Sequence, residues 1–154
     1  MWDASGNELT RYSGHGGWVF SVAFSPKGDR ILTGGYSEDA ILWDTSGNEL
    51  LRFKGHRVFV SSFAFSPKGD QVLTGDGNGN AILWDISGQE LARYTGHGEE
   101  VKFVAFSPLG DRILTGGRDG TARIWRNYYW EWENGRIYKL NAEERAEYGI
   151  DWNY

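Results

Sequence analysis

Residues 14–44 read GHGGWVFSVAFSPKGDRILTGGYSEDAILWD, and the same pattern returns twice further along the chain. The first two 41-residue periods, 2–42 and 43–83, agree at 25 positions. Each period carries the same three markers, and they are Gly-His (14–15, 55–56, 96–97), Phe-Ser-Pro-x-Gly-Asp (24–29, 65–70, 106–111) and Leu-Thr-Gly (32–34, 73–75, 114–116). A period of 20–50 residues is typical of repeat architectures. The 154 residues are therefore read repeat by repeat.

Short runs of β-branched and aromatic residues alternate with turn signals in every period. In the first period these runs predict four strands, at residues 18–24, 30–33, 40–43 and 49–53. The turn after the first strand contains Pro26 and Gly28; proline presets φ, and glycine tolerates a positive φ. Helical periodicity is missing from residues 1–126. The repeats therefore predict an all-β fold.

A period near 41 with four strands, Gly-His and Trp-Asp resembles the WD-repeat family, whose repeats form the blades of a β-propeller. The resemblance covers residues 1–126 and leaves 127–154 as an aromatic-rich C-terminal segment. In that family, the strand after Trp-Asp is the outer edge of one blade, and the next three strands belong to the following blade. The implied fold is three four-stranded blades, a partial propeller that closes by oligomerisation, with a C-terminal β-hairpin and a short helix.

The resemblance implies that the four strands of one blade come from both ends of the repeat region. Residues 8–12 would be an outer strand, whereas the third repeat ends at Trp125 after its three inner strands. Propellers usually have about 4–8 blades, and an open arc of three exposes apolar faces and strand edges. Two copies would give six blades and three copies nine, with residues 8–12 of one copy completing the third blade of the next. We favour two copies, leave open a fragment of a longer propeller, and expect deletion of residues 1–13 to abolish the oligomer.

Charge and composition exclude several classes of protein. Lys+Arg number 16 against 21 Asp+Glu, a net charge of −5, so nucleic acid is not an expected partner. The lack of cysteine excludes disulfides and thiolate zinc sites. No apolar run approaches the ~18 residues of a membrane span, and the first residues do not resemble a signal peptide. We therefore expect a cytoplasmic chain without a membrane partner.

In the WD-repeat family, a His, a Ser or Thr, an Asp and the Trp form a buried hydrogen-bond network in each blade. The resemblance carries this structural network onto His15, Thr33 and Trp43, onto His56, Thr74 and Trp84, and onto His97, Thr115, Asp119 and Trp125. Ser37 and Asn78 occupy the Asp column of the first two repeats, so only the third network is complete by alignment. Because buried polar groups normally satisfy one another, we expect no catalytic residue.

Metal and cofactor sites are not expected either. The three histidines share one repeat column, which distributes them around a ring and not around one ion. Residues 76–80, Asp-Gly-Asn-Gly-Asn, resemble the start of a calcium loop, but Ala81 and Ser87 stand where such a loop needs Gly and Glu. We interpret residues 76–80 as a turn between two strands.

Residues that differ between the repeats just before and at the start of the first inner strand indicate where a partner would bind. Two repeats carry apolar residues and an arginine there, and the third carries charged residues. The predicted interaction face consists of Trp18, Phe20, Arg57, Val58, Phe59, Glu99, Glu100 and Lys102. Aromatic residues and arginine are frequent binding hot spots. The alternative is that Trp18 and Phe59 only cover neighbouring blades.

Asn134-Gly135 predicts a hairpin in the C-terminal segment, because a type I′ turn needs positive φ at both positions. The hairpin would pair residues 128–133 with 136–140 and would put Trp130, Trp132 and Ile137 on one docking face. An Asn-x-x-Glu cap then predicts a helix over residues 142–148. We expect this segment to cover a propeller surface or to join subunits; the alternative is a recruitment peptide.

The combined expectation is a noncatalytic protein-interaction scaffold that forms a homo-oligomer and takes a protein or peptide ligand. One alternative is the C-terminal sensor part of a larger bacterial signalling protein. Another is a propeller enzyme, which a cluster of carboxylates in the central channel would indicate.

Overall fold

The computed structural model describes residues 4–135. It contains eleven strands and one short helix in this range. They are β1 Val19–Phe24, β2 Arg30–Gly35, β3 Ala40–Asp44, β4 Glu49–Phe53, β5 Val60–Phe65, β6 Gln71–Asp76, β7 Asn80–Asp85, β8 Glu90–Thr95, β9 Val101–Phe106, β10 Arg112–Gly117, β11 Ala122–Arg126 and α1 Tyr128–Glu133.

The strands form three antiparallel sheets, each following the order of the chain. Blade 1 is β1-β2-β3-β4 and blade 2 is β5-β6-β7-β8, whereas blade 3 contains only β9, β10 and β11. The prediction of four strands is confirmed for blades 1 and 2, and the first period matches within two residues at each strand end. Strand β11 is therefore an edge strand in the part of the chain that the structure describes.

The turn joining the first two strands is built identically in all three blades. In blade 1, Ser25 Oγ donates to Asp29 Oδ1 at 2.8 Å, and the Gly28 backbone N–H donates to the Ser25 carbonyl at 2.9 Å. The Ser66–Asp70 and Ser107–Asp111 pairs repeat the side-chain bond at 2.7 Å. This local bonding explains why Phe-Ser-Pro-x-Gly-Asp recurs in the sequence.

Each blade has two apolar faces, because successive side chains of a strand point to opposite sides. The Leu face carries Leu32 and Leu42 in blade 1, and the Trp face carries the tryptophan of each blade. The Leu face of blade 1 packs against the Trp face of blade 2 around Trp84, and all three of these side chains are buried. The Leu face of blade 2 packs in the same way against Trp125 in blade 3. The blades therefore stack in one direction.

Residues 8–12 cover the Trp face of blade 1 although the predicted strand is not formed. Tyr12 packs against Trp43 at 5.8 Å between ring centroids, as Phe53 packs against Trp84 at 5.7 Å and Tyr94 against Trp125 at 5.5 Å. Residues 8–12 thus lie against blade 1 as β4, the outer strand of blade 1, lies against blade 2. The strand is not formed within one chain, because an outer strand needs the third strand of its own blade for hydrogen bonds and the described residues contain no such strand next to it.

The first half of the predicted hairpin is helix α1, Tyr128–Glu133. Asn127 caps its start, since its Oδ1 accepts from Trp130 N at 3.2 Å. At the other end Gly135 has φ +67°, and Asn134 N donates to the Trp130 carbonyl at 3.1 Å. Asn-Gly therefore ends a helix here instead of turning a hairpin. The predicted strand 136–140 and the predicted helix 142–148 lie outside the described residues.

Within residues 4–135, no helix has the length and apolar character required to cross a membrane.

Candidate interaction surfaces

A chain of hydrogen bonds, buried at Thr115 and His97, links four side chains in blade 3. Trp125 Nε1 donates to Thr115 Oγ1 at 2.9 Å, Thr115 Oγ1 lies 2.7 Å from His97 Nε2, and His97 Nδ1 lies 3.0 Å from Asp119. Indole N–H can only donate, so the threonine hydroxyl accepts from it and passes its own proton toward His97 Nε2. That assignment puts the imidazole proton on Nδ1, facing Asp119.

This network fixes the loop before β9 onto the blade and does not resemble a nucleophilic site. Thr115 is fully buried, and its hydroxyl is used on both sides. Burial by itself would raise the pKa of Asp119, but the hydrogen bonds from Thr121 and His97 outweigh it and hold that pKa below its ordinary value. Asp119 is thus an ionised acceptor that orients His97.

Blade 2 has a complete network, which corrects the expectation from column alignment. His56 Nε2 lies 2.6 Å from Thr74 Oγ1, Trp84 Nε1 donates to Thr74 Oγ1 at 2.8 Å, and His56 Nδ1 contacts Asp76 Oδ2 at 2.8 Å. The carboxylate comes from the end of β6, two residues before the aligned position Asn78. Burial pushes the pKa of Asp76 upward, and the bonds from His56 and Asn80 more than offset this, so the net pKa is lowered.

The residues around Asp76 form a turn, as the sequence predicted for 76–80. Asp76 Oδ1 accepts from the backbone N–H groups of Asn78 and Asn80, both at 2.9 Å. Gly79 has φ +83°, and a Cβ there would lie 2.3 Å from the His97 carbonyl oxygen. The turn therefore packs against the loop that enters blade 3, and only glycine fits at that contact.

Blade 1 has the network without a carboxylate. His15 Nε2 lies 2.6 Å from Thr33 Oγ1, Trp43 Nε1 donates to Thr33 Oγ1 at 2.7 Å, and His15 Nδ1 faces Ser37 Oγ at 3.4 Å. Burial, and to a smaller extent Arg52, lowers the pKa of His15. His15 is accordingly neutral in the folded protein near pH 7.

The three networks stay separate, one in each blade. Among residues 4–135, no group of three or more His, Asp or Glu side chains is arranged to hold a metal ion.

Four aromatic rings cluster where blades 1 and 2 meet, at the loop end of β1. Phe20 contacts Trp18, Tyr36 and Phe59 in edge-to-face geometry, with ring centroids 6.5, 6.4 and 5.9 Å away. Tyr36 and Phe59 are parallel at 6.3 Å. Trp18 is 78% exposed and Tyr36 69% exposed, so the cluster presents a large apolar surface to solvent. We call these four residues the aromatic cluster.

Three of its members are predicted interaction-face residues, and the fourth, Tyr36, was missed. Tyr36 N donates to the Trp18 carbonyl at 2.8 Å, and the same backbone bond joins Gly77 to Phe59 and Arg118 to Glu100. Each blade therefore presents one pair of residues at this point. A search for residues paired across this position would have found Tyr36.

The other predicted interaction-face residues divide by blade. Arg57 is exposed, and Val58 is half-buried beside the aromatic cluster. In blade 3, Glu99 is exposed, whereas Glu100 is buried and forms ion pairs with Lys102 at 3.0 Å and Arg118 at 3.9 Å. The face is thus apolar over two blades and charged over the third.

The predicted docking residues of the C-terminal segment have different outcomes. Trp130 lies in α1 and approaches the Gly110 turn, where a Cβ on Gly110 would be 3.4 Å from its ring. The side chain of Trp132 and the whole of Ile137 lie outside the described residues.

Two further apolar surfaces lie at the ends of the stack. On the Leu face of blade 3, Phe103, Leu114 and Ile124 are exposed, and on the Trp face of blade 1, Val22 and Phe24 are exposed. The corresponding positions between blades are covered, as at Leu32 and Leu73, both 0% exposed.

Stacked antiparallel blades, two with four strands and one with three, and a Trp-Thr-His network in each define a repeat protein of the β-propeller class. Three stretches, residues 6–44, 47–85 and 88–126, match the model of the family described as WD domain, G-beta repeat. The chain therefore belongs to the WD-repeat family, whose domains generally mediate protein–protein interactions and are typically noncatalytic. No curated protein gives a significant match to the sequence.

Proposed function

We propose that this chain is a noncatalytic protein-interaction scaffold in the cytoplasm whose blades self-assemble, with two copies forming a six-bladed propeller. The observation that carries this proposal is the pair of exposed apolar surfaces at the two ends of the stack. Val22, Phe24, Leu114 and Ile124 are between 46% and 69% exposed, although their counterparts between blades are largely covered. Surfaces of this kind normally mark an interface.

The mass of the chain in solution tests the self-assembly. One copy has a mass of 17.4 kDa. Light scattering is expected to give twice this mass for a six-bladed ring, and three times this mass would mean nine blades. A monomer at micromolar concentration would refute the proposal and favour a part of a longer signalling protein. Deletion of residues 1–13 should convert the oligomer to monomers.

The aromatic cluster is the proposed surface for a protein or peptide ligand. Its support is the combination of exposed Trp18 and Tyr36 with the nearby exposed Arg57, since these residue types dominate binding hot spots. Glu99 and Lys102 of blade 3 would surround the apolar centre with charge, as in a typical interface rim.

A displayed library of random peptides tests this surface without a known partner. Peptides selected on the natural chain should lose binding to a Trp18→Ala/Tyr36→Ala variant. Leu109→Ala is the matched control. Leu109 is 71% exposed in the β9–β10 turn of blade 3, at the end of the strands opposite to that of the aromatic cluster. Equal binding to both variants would contradict the assignment.

A further inference from the structure

We infer that the two open ends of the stack bind each other head to tail, so that the Leu face of blade 3 in one copy packs on the Trp face of blade 1 in a second copy. This inference rests on the proposed self-assembly and specifies its interface. It follows from comparing each open surface with the two junctions that the chain already contains.

The junctions between blades define which residues meet. A Cβ on Gly34 would lie 2.8 Å from Phe63 of the next blade, and a Cβ on Gly75 would lie 3.1 Å from Val104. The next glycine in this column is Gly116, and among the described residues a Cβ there would meet only Phe103 of the neighbouring strand β9 in the same blade, at 3.6 Å. Val22 occupies in blade 1 the position that Phe63 occupies in blade 2 and Val104 in blade 3. Gly116 therefore lacks the contact that Val22 of a second copy would supply.

The sizes of the facing side chains fit this pairing. Ser62 lies on the Leu face of blade 2, where its Oγ accepts from Val104 N of blade 3 at 3.1 Å. Phe103 takes the Ser62 position in blade 3 and is 73% exposed. The opposite column contains Phe63 and Val104 at the existing junctions and Val22 at the open end. The largest residue on one surface thus faces a small residue on the other.

Residues 8–12 add a strand to the same contact. They already pack on blade 1 as β4 packs on blade 2, through the ring contact of Tyr12 with Trp43. In blades 1 and 2 the outer strand pairs Leu42 with Leu51 and Leu83 with Ala92. The same register puts Thr10 of one copy opposite Ile124 of the other. Residues 8–12 would then be the fourth strand of blade 3 and would cover the edge of β11.

The register also places Arg11 of one copy opposite Arg123 of the other. Each guanidinium already has a carboxylate, because Arg11 pairs with Glu8 at 2.8 Å and Arg123 with Asp119 at 3.7 Å. The Arg11–Glu8 pair repeats in the formed outer strands as Arg52–Glu49 and Arg93–Glu90, both at 2.7 Å. The segment therefore carries the same ion pair as the outer strands that are formed.

Mixing two variants tests this interface. Phe103→Arg and Val22→Glu change exposed positions that would face each other across the junction, so each variant should keep its fold by circular dichroism. Each alone should dimerise at least about 100-fold more weakly, because an unpaired charge would be buried at both junctions of the ring. In a 1:1 mixture, one junction carries both substitutions as an ion pair and the other junction is natural. Native mass spectrometry should then show a heterodimer.

A Leu109→Arg variant is the control, since Leu109 is exposed in a turn away from both faces. It should dimerise like the natural chain. If the natural chain is dimeric, dimerisation of the single variants at natural affinity, or failure of the mixture to form a heterodimer, overturns the head-to-tail interface and leaves self-assembly standing. If the natural chain is monomeric, both the interface and the proposed self-assembly fail.

Discussion

The carboxylate that orients the histidine occupies two different positions in consecutive blades. Asp76 lies at the end of β6 in blade 2, whereas Asp119 lies in the turn after β10 in blade 3. At the column of Asp76, blade 3 has Gly117, where a Cβ would lie 2.4 Å from His97 Nδ1. The two arrangements are therefore mutually exclusive solutions to one requirement, an acceptor for the Nδ1 proton.

Moving the carboxylate in blade 2 tests this equivalence. Asp76→Gly should lower the free energy of unfolding by about 1–3 kcal/mol, because it leaves the buried His56 Nδ1 without an acceptor. Adding Asn78→Asp reproduces the blade 3 arrangement and should recover most of this loss. Urea unfolding at one protein concentration measures both effects. A double variant no more stable than Asp76→Gly would contradict the equivalence.

At the residue scale, the sequence predicted the histidine, threonine and tryptophan of each network but not Asp76. The first three lie on regular strands or next to them, where a 41-residue shift keeps the geometry. The carboxylate only has to lie within hydrogen-bond distance of the histidine Nδ1, and two backbone positions two residues apart both allow this. Column alignment therefore misses Asp76. Tyr36 was missed for a different reason: it lies after β2, far in sequence from Trp18, and a backbone bond brings the two together.

Helix α1 begins where blades 1 and 2 make a turn to their outer strands. In those blades, Asp44 and Asp85 accept from the backbone N–H groups two and four residues further on, at 2.9 Å. Arg126 replaces this aspartate in blade 3 and cannot accept. Asn127 instead caps α1, so the chain leaves blade 3 without turning back toward β11.

Asn127 is fully buried and connects α1 to two blades. Its Nδ2 donates to Gln71 Oε1 in blade 2 and to the Gly110 carbonyl in blade 3, both at 2.9 Å. Asn127→Ala should destabilise the protein by about 2 kcal/mol or more, since it removes a helix cap and leaves two buried acceptors unpaired. Asn134→Ala, which changes an exposed amide at the other end of α1, should cost much less. Equal losses in thermal unfolding would argue against this role of Asn127.

At the element scale, the eleven strands were predictable because β-branched runs and proline-glycine turns agree with each other in every repeat. The C-terminal segment was not, because Asn-Gly suits both a hairpin turn and a helix end, and both need a positive φ at the glycine. The hydrogen bonds of Asn127 to Gln71 and to the Gly110 carbonyl favour the helix, and these partners are distant in sequence. Residues 8–12 illustrate the opposite case: Tyr12 packs on Trp43 as an outer-strand residue would, but residues 4–135 contain no strand that pairs with this segment.

Three blades leave one apolar surface at each end of the stack, and this is the property of the whole molecule that the sequence predicted best. The repeat count and the position of residues 8–12 implied it before any contact was known. The sequence did not identify which side chains remain exposed. That depends on the direction of stacking, which sets Phe103, Leu114 and Ile124 on one end and Val22 and Phe24 on the other.

A ring that closes only between copies should be more stable at higher protein concentration, because association and folding are then coupled by mass action. A hundredfold rise in concentration adds about 2.7 kcal/mol per dimer, and for roughly 300 residues this corresponds to an increase in Tm of about 4 °C. Differential scanning calorimetry of the natural chain over two decades of concentration measures the shift. The Phe103→Arg variant should melt at a lower temperature that does not depend on concentration, since its end surfaces no longer associate. A concentration-independent Tm for the natural chain would contradict closure of the ring between copies.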